Sequence, residues 1–405
     1  MTSPRIKDVA QINRNVLPES TEPNFRFRYV DIGAVDSLGR ITIPDEEVSF
    51  SSSPSRARRL APAGAVVVST VRTYLRAIAA VPKTTAPLVF STGFAVLEAG
   101  TQIDSRFLAH YCRSQTFIDE VVARSVGVSY PAINAVDIGN LPVALPAREE
   151  QQRIADFLDA ETSRIDGLDS SRSAQLSLLA ERERAMLDLS FREARSGTQT
   201  RLKYLFSVRP RYGVLVPVFT DDGVPFIRVN DLLDLEGRAD GLRNIPSELS
   251  AQYARSIVQP GDLLMSVVGT LGRAAIASAS LAGANIARAV CSMRFMPDVE
   301  VQLVEAWLGT SSFHKQALVA TSTDTAQPTL GMEDLGNFSL TWPSDSQERK
   351  HMVREIARIQ DSMRSLSDKL KRQKSVLAER RQALITAAVT GQIDVSTASG
   401  RGIEE

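Results

Sequence analysis

The sequence predicts a mixed α/β (α+β) fold duplicated in tandem, each copy being an α/β domain followed by a long helix. Two observations predict this. Short motifs recur along the chain at a nearly constant shift of about 197 residues, and two stretches of about 45 residues carry apolar residues at alternating spacings of 3 and 4. That spacing is typical of a coiled coil, so the two long helices are predicted to pair with each other. Antiparallel pairing would relate the two copies by an approximate two-fold axis.

The first α/β domain is predicted over residues 1–148. Residues 24–43 alternate apolar and polar side chains up to a turn, which indicates a strand. Residues 63–69 are predicted to form a turn followed by a buried strand. Apolar residues at helical spacing then predict a helix over residues 105–124. The domain closes at Pro146, just before a long helical pattern begins.

A long helix is predicted next, over residues 149–197. Its apolar and polar seam positions alternate at spacings of 3 and 4, with polar interruptions that include Gln175 and Arg182. The apolar residues predicted to form this seam are Ile154, Leu158, Ile165, Leu168, Leu179 and Met186, and Leu189 continues the same pattern.

The second domain, residues 198–345, repeats the pattern of the first. A strand-like stretch at 225–239 matches that at 24–43, and residues 260–266 match 63–69 at a shift of 197. Further matches come at the same shift: Tyr130-Pro131 with Gln327-Pro328, Asp137 with Asp334, Asn140 with Asn337, and Pro146 with Pro343. Such constancy over a whole domain predicts a duplication.

The second long helix is predicted over residues 346–392, followed by a tail at 393–405. The tetrapeptide Leu-Ala-Glu-Arg occurs at 179–182 and again at 377–380, which identifies the two helices as copies. The predicted seam of the second helix consists of Ile356, Ile359, Met363, Leu366, Leu370, Leu377 and Leu384.

Charge separates the two helices although the whole chain has a formal net charge of zero. Residues 149–195 contain 7 basic and 11 acidic side chains, whereas residues 346–391 contain 11 basic and 5 acidic ones. Flanking charges decide partner choice in coiled coils, so the net charges of −4 and +6 favour pairing of the two helices within one chain.

Composition and motifs exclude several classes of protein. The sequence contains no phosphate-binding G-x-x-x-x-G-K-[ST] loop, no H-E-x-x-H, no paired C-x-x-C and no G-x-S-x-G, so we predict neither a catalytic nor a metal site on this chain. Cys112 and Cys291 lie in unrelated contexts and are expected to be small buried side chains. Neither a signal sequence nor an apolar run long enough to span a membrane is found, which predicts a cytoplasmic protein without a membrane partner.

Three segments carry a resemblance to a known family. They are LPVALPAREEQQRIADFLDAETSRID at 141–166, the paired LAER blocks, and ALITAAVTG at 383–391. With the order of domain, long helix, domain and long helix, the chain resembles the DNA-specificity subunits of type I restriction-modification systems. The second helix departs from this pattern, because it opens with Ser-Gln-Glu-Arg-Lys-His-Met at 346–352 in place of Glu-Gln-x-x-Ile.

The resemblance implies a non-catalytic subunit with two target-recognition domains, one for each half of a bipartite site in double-stranded DNA. It implies docking to methyltransferase subunits, two for each chain, and to restriction or translocase subunits where these exist. Catalytic activity would then reside in the partners, which would carry S-adenosylmethionine, Mg and ATP. No cofactor is expected on this chain.

Candidate DNA-binding residues are chosen by chemistry and position. Arginine fits guanine, asparagine and glutamine fit adenine, and threonine meets a base edge or a thymine methyl group. An isolated surface arginine is more often solvated or paired with a carboxylate, so each choice competes with an ordinary surface role. The candidates are Arg72, Thr73, Tyr74, Arg76, Lys83, Ser129 and Tyr130 in the first domain, and Asn230, Arg243, Thr270, Arg273, Thr325 and Gln327 in the second.

Two further hypotheses stay open from the sequence. The same duplication would suit a protein-binding scaffold in which the paired helices form a strut. If the chain does read DNA, a helix of about 45 residues is about 68 Å long at 1.5 Å per residue, and the paired helices would set the unread gap in the site. A fused methyltransferase is disfavoured because no Asn-Pro-Pro-Tyr/Phe motif occurs.

Overall fold

The computed structural model describes residues 4–322 and 328–395. It divides the chain into two compact units, residues 1–172 with 371–405 and residues 173–370. Each unit therefore contains one α/β domain together with a part of both long helices.

The first unit contains two four-stranded sheets. One sheet is antiparallel with the order β1-β8-β5-β6, and the other has the order β3-β2-β7-β4, in which β2 and β7 run parallel. Its elements are α1 (Ile6–Val9), β1 (Ala10–Ile12), β2 (Arg26–Val30), β3 (Val48–Ser49), β4 (Ala57–Leu60), β5 (Val66–Ser69), β6 (Ile78–Ala80), β7 (Leu88–Ser91), β8 (Phe94–Ala99), α2 (Ser105–Cys112), α3 (Gln115–Ala123), α4 (Ala135–Gly139) and the start of α5 (Arg148–Arg192).

Helix starts in this unit are fixed by side-chain caps. Asp104, Ser114 and Asn134 accept hydrogen bonds from backbone N–H groups in the first turns of α2, α3 and α4. Such caps satisfy amide groups that have no partner inside the helix. The amphipathic α2 and α3 bury Phe107 and Phe117 in a core that also receives side chains of both long helices.

The second unit contains a four-stranded sheet of order β10-β16-β13-β14, a three-stranded sheet of order β12-β11-β15 and the pair β17-β9. Its elements are β9 (Gly197–Arg201), β10 (Phe206–Tyr212), β11 (Val224–Ile227), β12 (Arg243–Ile245), α6 (Ser247–Gln252), β13 (Leu263–Ser266), β14 (Ala274–Ile276), β15 (Asn285–Ile286), β16 (Val290–Phe295), α7 (Val301–Leu308), α8 (Ser311–Ala320), α9 (Met332–Asn337), β17 (Ser339–Pro343) and α10 (Ser346–Val389).

The predicted duplication is confirmed by matching sheets and helices, although within the described residues β4 has no counterpart strand in the second unit. The sheet β1-β8-β5-β6 corresponds to β10-β16-β13-β14, with Val66 of β5 and Leu263 of β13 separated by the expected 197 residues. The parallel pair β2 and β7 corresponds to the parallel pair β11 and β15. Helices α2, α3 and α4 correspond to α7, α8 and α9 in the same order. The mixed α/β fold class predicted from the sequence is therefore correct.

Within the first unit the two long helices run antiparallel. Asp166 of α5 pairs with Arg381 of α10 at 3.1 Å, and Asp169 pairs with Lys374 at 3.1 Å, so the partner number falls as the first number rises. Near the domain, Leu158 shares the main core of the unit with Ile385 on α10.

The second unit contains its own antiparallel pair, formed by the remaining parts of the same helices. Leu187 and Phe191 of α5 share a core with Met352 and Ile356 of α10. Further along, the positive charge of Arg364 acts on Glu183. Burial is the larger influence on Glu183 and raises the pKa of its carboxyl group, while Arg364 opposes that shift.

The seam differs from the predicted one in its middle section. Ile154, Leu158, Ile165, Ile356 and Met363 are buried as predicted. The half-buried seam residues are Leu179, Met186, Ile359, Leu370, Leu377 and Leu384.

Three leucines predicted in or along the seam are exposed instead. They are Leu168, Leu189 and Leu366, and Leu168 is 42% exposed. Because an α-helix has 3.6 residues per turn, a strict 3.5-residue repeat drifts around its surface over such a length. The alternating spacing gives Glu161 as the seam position after Leu158, but Thr162 is buried there, so the contact face shifts by one residue. Asp169 and Lys374 then pair, each one residue after the position that the spacing gives, Leu168 and Gln373.

The first long helix also ends earlier than predicted. It stops at Arg192 rather than 197, because residues 197–201 form β9 and pair with β17. The second helix ends at Val389. Within the predicted tail, Val395 is buried in the core of the first unit.

The unusual start of the second long helix performs the same structural role as the start of the first. Gln151 donates to the carbonyl oxygen of Pro146 at 2.9 Å, and Arg349, 198 residues later, donates to that of Pro343 at 3.0 Å. Arg349 also forms an ion pair with Glu300. Two different side chains therefore attach the two long helices to equivalent proline turns.

Candidate nucleic-acid interface

The loop after β5 brings most of the predicted DNA-binding residues of the first unit together. Residues 73–75 form a short 3-10 turn, flanked by Arg72 at φ +51° and Arg76 at φ +53°. The left-handed conformation is unfavourable for residues with a Cβ atom, and such residues concentrate at binding sites. Val71 and Val126 each form a β-bridge to Ala132, which fixes the loop against the segment at 126–132.

Aromatic and cationic side chains meet at this loop. The guanidinium carbon of Arg72 lies 5.1 Å from the ring centroid of Tyr130, a distance suitable for a cation–π contact. Tyr130 is 65% exposed and Tyr74 is 55% exposed. Exposed aromatic rings can stack on bases, while an arginine beside them contacts the phosphates of the nucleic-acid backbone.

The remaining candidates of the first unit lie in different environments. Thr73 is only 6% exposed, and its hydroxyl shares a hydrogen bond of 2.9 Å with Ser125, so it supports the loop and does not face solvent. Arg76 is exposed and donates to Gln115 at 3.3 Å. Ser129 is exposed beside Tyr130, and Lys83 is exposed between β6 and β7.

The loop after β13 is the counterpart in the second unit. Gly269 and Gly272 have φ values of +73° and +80°, and Val268 forms a β-bridge to Thr329. Thr270 is exposed, whereas Arg273 is half-buried and its backbone N–H donates to Ser266 at 3.0 Å. Thr325 and Gln327, the last two candidates, lie outside the described residues.

Arg243 is the first residue of β12 in the three-stranded sheet of the second unit, and Asn230 follows β11 of the same sheet. Asn230 is exposed, and its carbonyl oxygen accepts a hydrogen bond from Arg238 at 3.3 Å. Arg243 lies over the ring of Phe219, 4.9 Å from its centroid. This arginine–aromatic pair is the second of its kind among the candidates, after that of Arg72 and Tyr130.

Sequence reasoning missed the exposed apolar residues next to both sites. In the first unit Val128 is fully exposed beside Tyr130. In the second unit Leu215, Val216 and Phe219 are exposed, and Arg243 lies over the ring of Phe219. The signal was present in the sequence, because Gly-Val-Leu-Val-Pro-Val-Phe at 213–219 is an apolar run that contains a proline and therefore does not fit an interior strand.

Neither cysteine has the properties of a reactive thiol. Burial raises the pKa of Cys291 to about 12, and burial also raises the pKa of Cys112, so both thiols stay protonated at neutral pH. Within residues 4–322 and 328–395, no group of three or more acidic, histidine or cysteine side chains is arranged to hold a metal ion. In the same ranges, no helix combines the length and apolarity needed to cross a membrane.

Comparison with known proteins shows which family the first part of the chain resembles. Residues 2–176 match the family model described as "Type I restriction modification DNA specificity domain". The first α/β domain and the start of the first long helix are therefore similar to this DNA-specificity family. The second α/β domain contains a four-stranded sheet that matches one sheet of the first.

Individual proteins are similar to this chain over different lengths. The chain is 31% identical over 186 residues to the type I restriction enzyme EcoBI specificity subunit of Escherichia coli, an alignment that spans 45% of this chain and 38% of that protein. A solved chain from a study of complex assembly and conformational transition of the type I R-M system is 25% identical, with a TM-score of 0.66 over 96% of this chain and 97% of that one. The HsdS subunit from Thermoanaerobacter tengcongensis is 24% identical, with a TM-score of 0.44 over 96% of both chains.

Proposed function

We propose that this chain is the DNA-specificity subunit of a type I restriction-modification complex. Each α/β domain reads one half of a bipartite site in double-stranded DNA, and the chain directs partner methyltransferase subunits to that site. The observation that carries the proposal is the duplication itself: two copies of one specificity-family fold present an exposed loop after the same strand, β5 or β13.

The geometry of each copy supports a role in recognition. Bases are read by side chains that reach the groove edges, while positively charged and aromatic groups nearby fix the register. The first unit offers Arg72, Tyr74 and Tyr130 on one loop region, and the second offers Thr270 on the equivalent loop. The two sets differ in chemistry, so the two half-sites should differ in sequence.

Catalysis is assigned to the partners in this proposal. Methyltransferase subunits, two for each chain, would bind S-adenosylmethionine, and restriction or translocase subunits would use Mg and ATP. The described part of this chain contributes binding surfaces and the spacing between its domains. The net charge of zero fits a subunit that shares phosphate neutralisation with its partners.

Methylome sequencing tests the proposal most directly. The chain would be co-expressed with a type I methyltransferase subunit in a host that lacks other DNA methylation. We expect methylation at a motif with two specific parts and an unread gap, and no such motif when this chain is omitted. Methylation that is absent, or that does not depend on this chain, would contradict the proposal and favour a protein-binding scaffold.

A further inference from the structure

The loops after β5 and β13 are one backbone element in two copies, and they differ at a left-handed position. Val71 and Val268 are 197 residues apart and form equivalent bridges, to Ala132 and to Thr329. The next residue is left-handed in both copies. It is Arg72 at φ +51° in the first unit and Gly269 at φ +73° in the second.

The backbone of this turn does not require an arginine. Glycine adopts the left-handed region without steric cost, whereas a residue with a Cβ atom is disfavoured there. Gly269 demonstrates that glycine serves the same turn in the same fold. The presence of Arg72 is therefore explained by its side chain rather than by the conformation of the loop.

The side chain of Arg72 is held in place without its hydrogen-bond donors being used. Its guanidinium lies over the exposed ring of Tyr130, and within the described ranges it makes neither a hydrogen bond nor an ion pair. Arg76, at the other end of the same turn, donates to Gln115. A planar guanidinium supported on one side by a ring still presents its N–H groups in the geometry that recognises two acceptors at once.

We propose that Arg72 determines specificity for one guanine in the half-site read by the first unit. Its N–H groups would donate to O6 and N7 of that guanine in the major groove, the most frequent specific contact of arginine with DNA. Tyr130 would act as a positioning residue that keeps the guanidinium in place. This inference rests on the proposed function, and it adds which base is recognised, in which half-site and by which residue.

The second unit lacks this contact because Gly269 has no side chain. A change at position 72 should therefore alter one base pair in one half of the motif and leave the other half unchanged. Substitution to glycine reproduces the residue found in the second copy and removes an unfavourable backbone conformation. Loss of recognition in Arg72→Gly would thus not be attributable to unfolding, and its melting temperature should be at least that of the wild type.

The test uses the full chain assembled with its methyltransferase partner. The variants are Arg72→Gly, Arg72→Lys and the charge-matched control Arg124→Ala, which removes an exposed arginine of the same unit that is paired with Glu120. Methylome sequencing gives the motif of each complex. Binding is also measured with duplexes in which each guanine of the half-site is replaced in turn by 7-deazaguanine, which lacks the N7 acceptor.

The wild-type complex should bind more weakly when 7-deazaguanine replaces one particular guanine of the half-site. The Arg72→Gly complex should bind that substituted duplex as tightly as it binds the unsubstituted one. Both Arg72 variants should accept other bases at that position, with discrimination reduced roughly 10- to 100-fold, while Arg124→Ala keeps the wild-type motif. A uniform loss of affinity for all sequences would assign Arg72 to a phosphate and overturn the proposal, because phosphate contacts carry no sequence information. An unchanged motif in Arg72→Gly would also overturn it. Absence of any bipartite motif with the wild-type chain would instead reject the proposed function.

Discussion

His110 lies in a network of charged side chains that joins α2 to the first long helix. Its Nε2 is 2.7 Å from Asp159, and Arg113 donates to its Nδ1 at 3.0 Å. Since Nδ1 accepts, the ring is neutral and carries its proton on Nε2. Burial is the main cause that lowers the pKa of His110, and the positive charges of Arg113 and Arg381 act in the same direction, against the opposing effect of Asp159.

The lowered pKa of His110 predicts that the folded first unit becomes less stable as the pH falls. In the unfolded chain the imidazole takes up a proton near its ordinary pKa of 6.5, whereas the folded protein resists protonation until a lower pH. The unfolded state thus binds more protons between these two pKa values, and the free energy of unfolding falls as pH drops through this window. Above the unfolded pKa this contribution is constant.

Denaturant unfolding at pH values from 7.5 to about 5 tests this sign. His110→Gln, which cannot be protonated, should show a shallower loss of stability on acidification than the wild type. His351→Gln is the control, since His351 is exposed on α10. Equal slopes for His110→Gln and the wild type would show that His110 does not drive the pH dependence.

At the scale of elements, the long helices were predicted correctly in type but not in their contact face. Apolar spacing identified both helices, and antiparallel pairing is present within each unit. The middle of the seam was misplaced because the spacing of leucines was taken as its only determinant. Ion pairs such as that of Asp166 with Arg381 hold the helices there, and Leu168 is left exposed.

Alanine substitutions at neighbouring positions test the corrected contact face. Ile165 is 5% exposed, so Ile165→Ala should lower the free energy of unfolding by about 2–4 kcal/mol. Leu168→Ala should change it by less than about 1 kcal/mol, since surface substitutions rarely have larger effects. Thermal or denaturant unfolding measures both, and a larger loss for Leu168→Ala would restore the seam predicted from the sequence.

A second matched pair of variants tests the ion pair. Arg381 is buried and bonded to Asp166, whereas Arg380, the position that the alternating spacing gives three residues after Leu377, is exposed. Arg381→Met should destabilise the protein by roughly 1–3 kcal/mol, because it leaves a half-buried carboxylate without its donor. Arg380→Met should be within about 0.5 kcal/mol of the wild type. Thermal or denaturant unfolding measures the stability of both variants. Equal losses for Arg381→Met and Arg380→Met would mean that Arg381 contributes no specific contact.

Over the whole molecule, the two copies share a fold, but equivalent positions of their long helices carry side chains of opposite charge. Asp166 and Arg364 are 198 residues apart, as are Glu183 and Arg381, so equivalent positions carry opposite signs. Asp166 meets Arg381 in the first unit, and Glu183 experiences Arg364 in the second. Each half therefore complements the other half, and two identical halves would place like charges together.

Net charge at the same scale predicts weak DNA binding by the isolated chain. With equal numbers of acidic and basic residues, the chain can neutralise few phosphates by itself. The logarithm of its binding constant should fall with the logarithm of salt concentration with a slope of about −1 to −3, corresponding to few phosphate contacts. Fluorescence anisotropy over a salt series measures this slope. The assembled complex should give a steeper one, and tight binding by the chain alone would contradict shared neutralisation.

The sequence alone determined the duplication, the fold class, the long helices and their opposite charges. These properties depend on periodicity and on local composition, both of which are read along the chain. Only the tertiary structure decided which helix face is buried, that Thr73 supports its loop from inside, and that Arg72 lies over Tyr130 in a left-handed conformation. These features arise from contacts between residues distant in sequence, where packing selects among side chains that local pattern treats as equivalent.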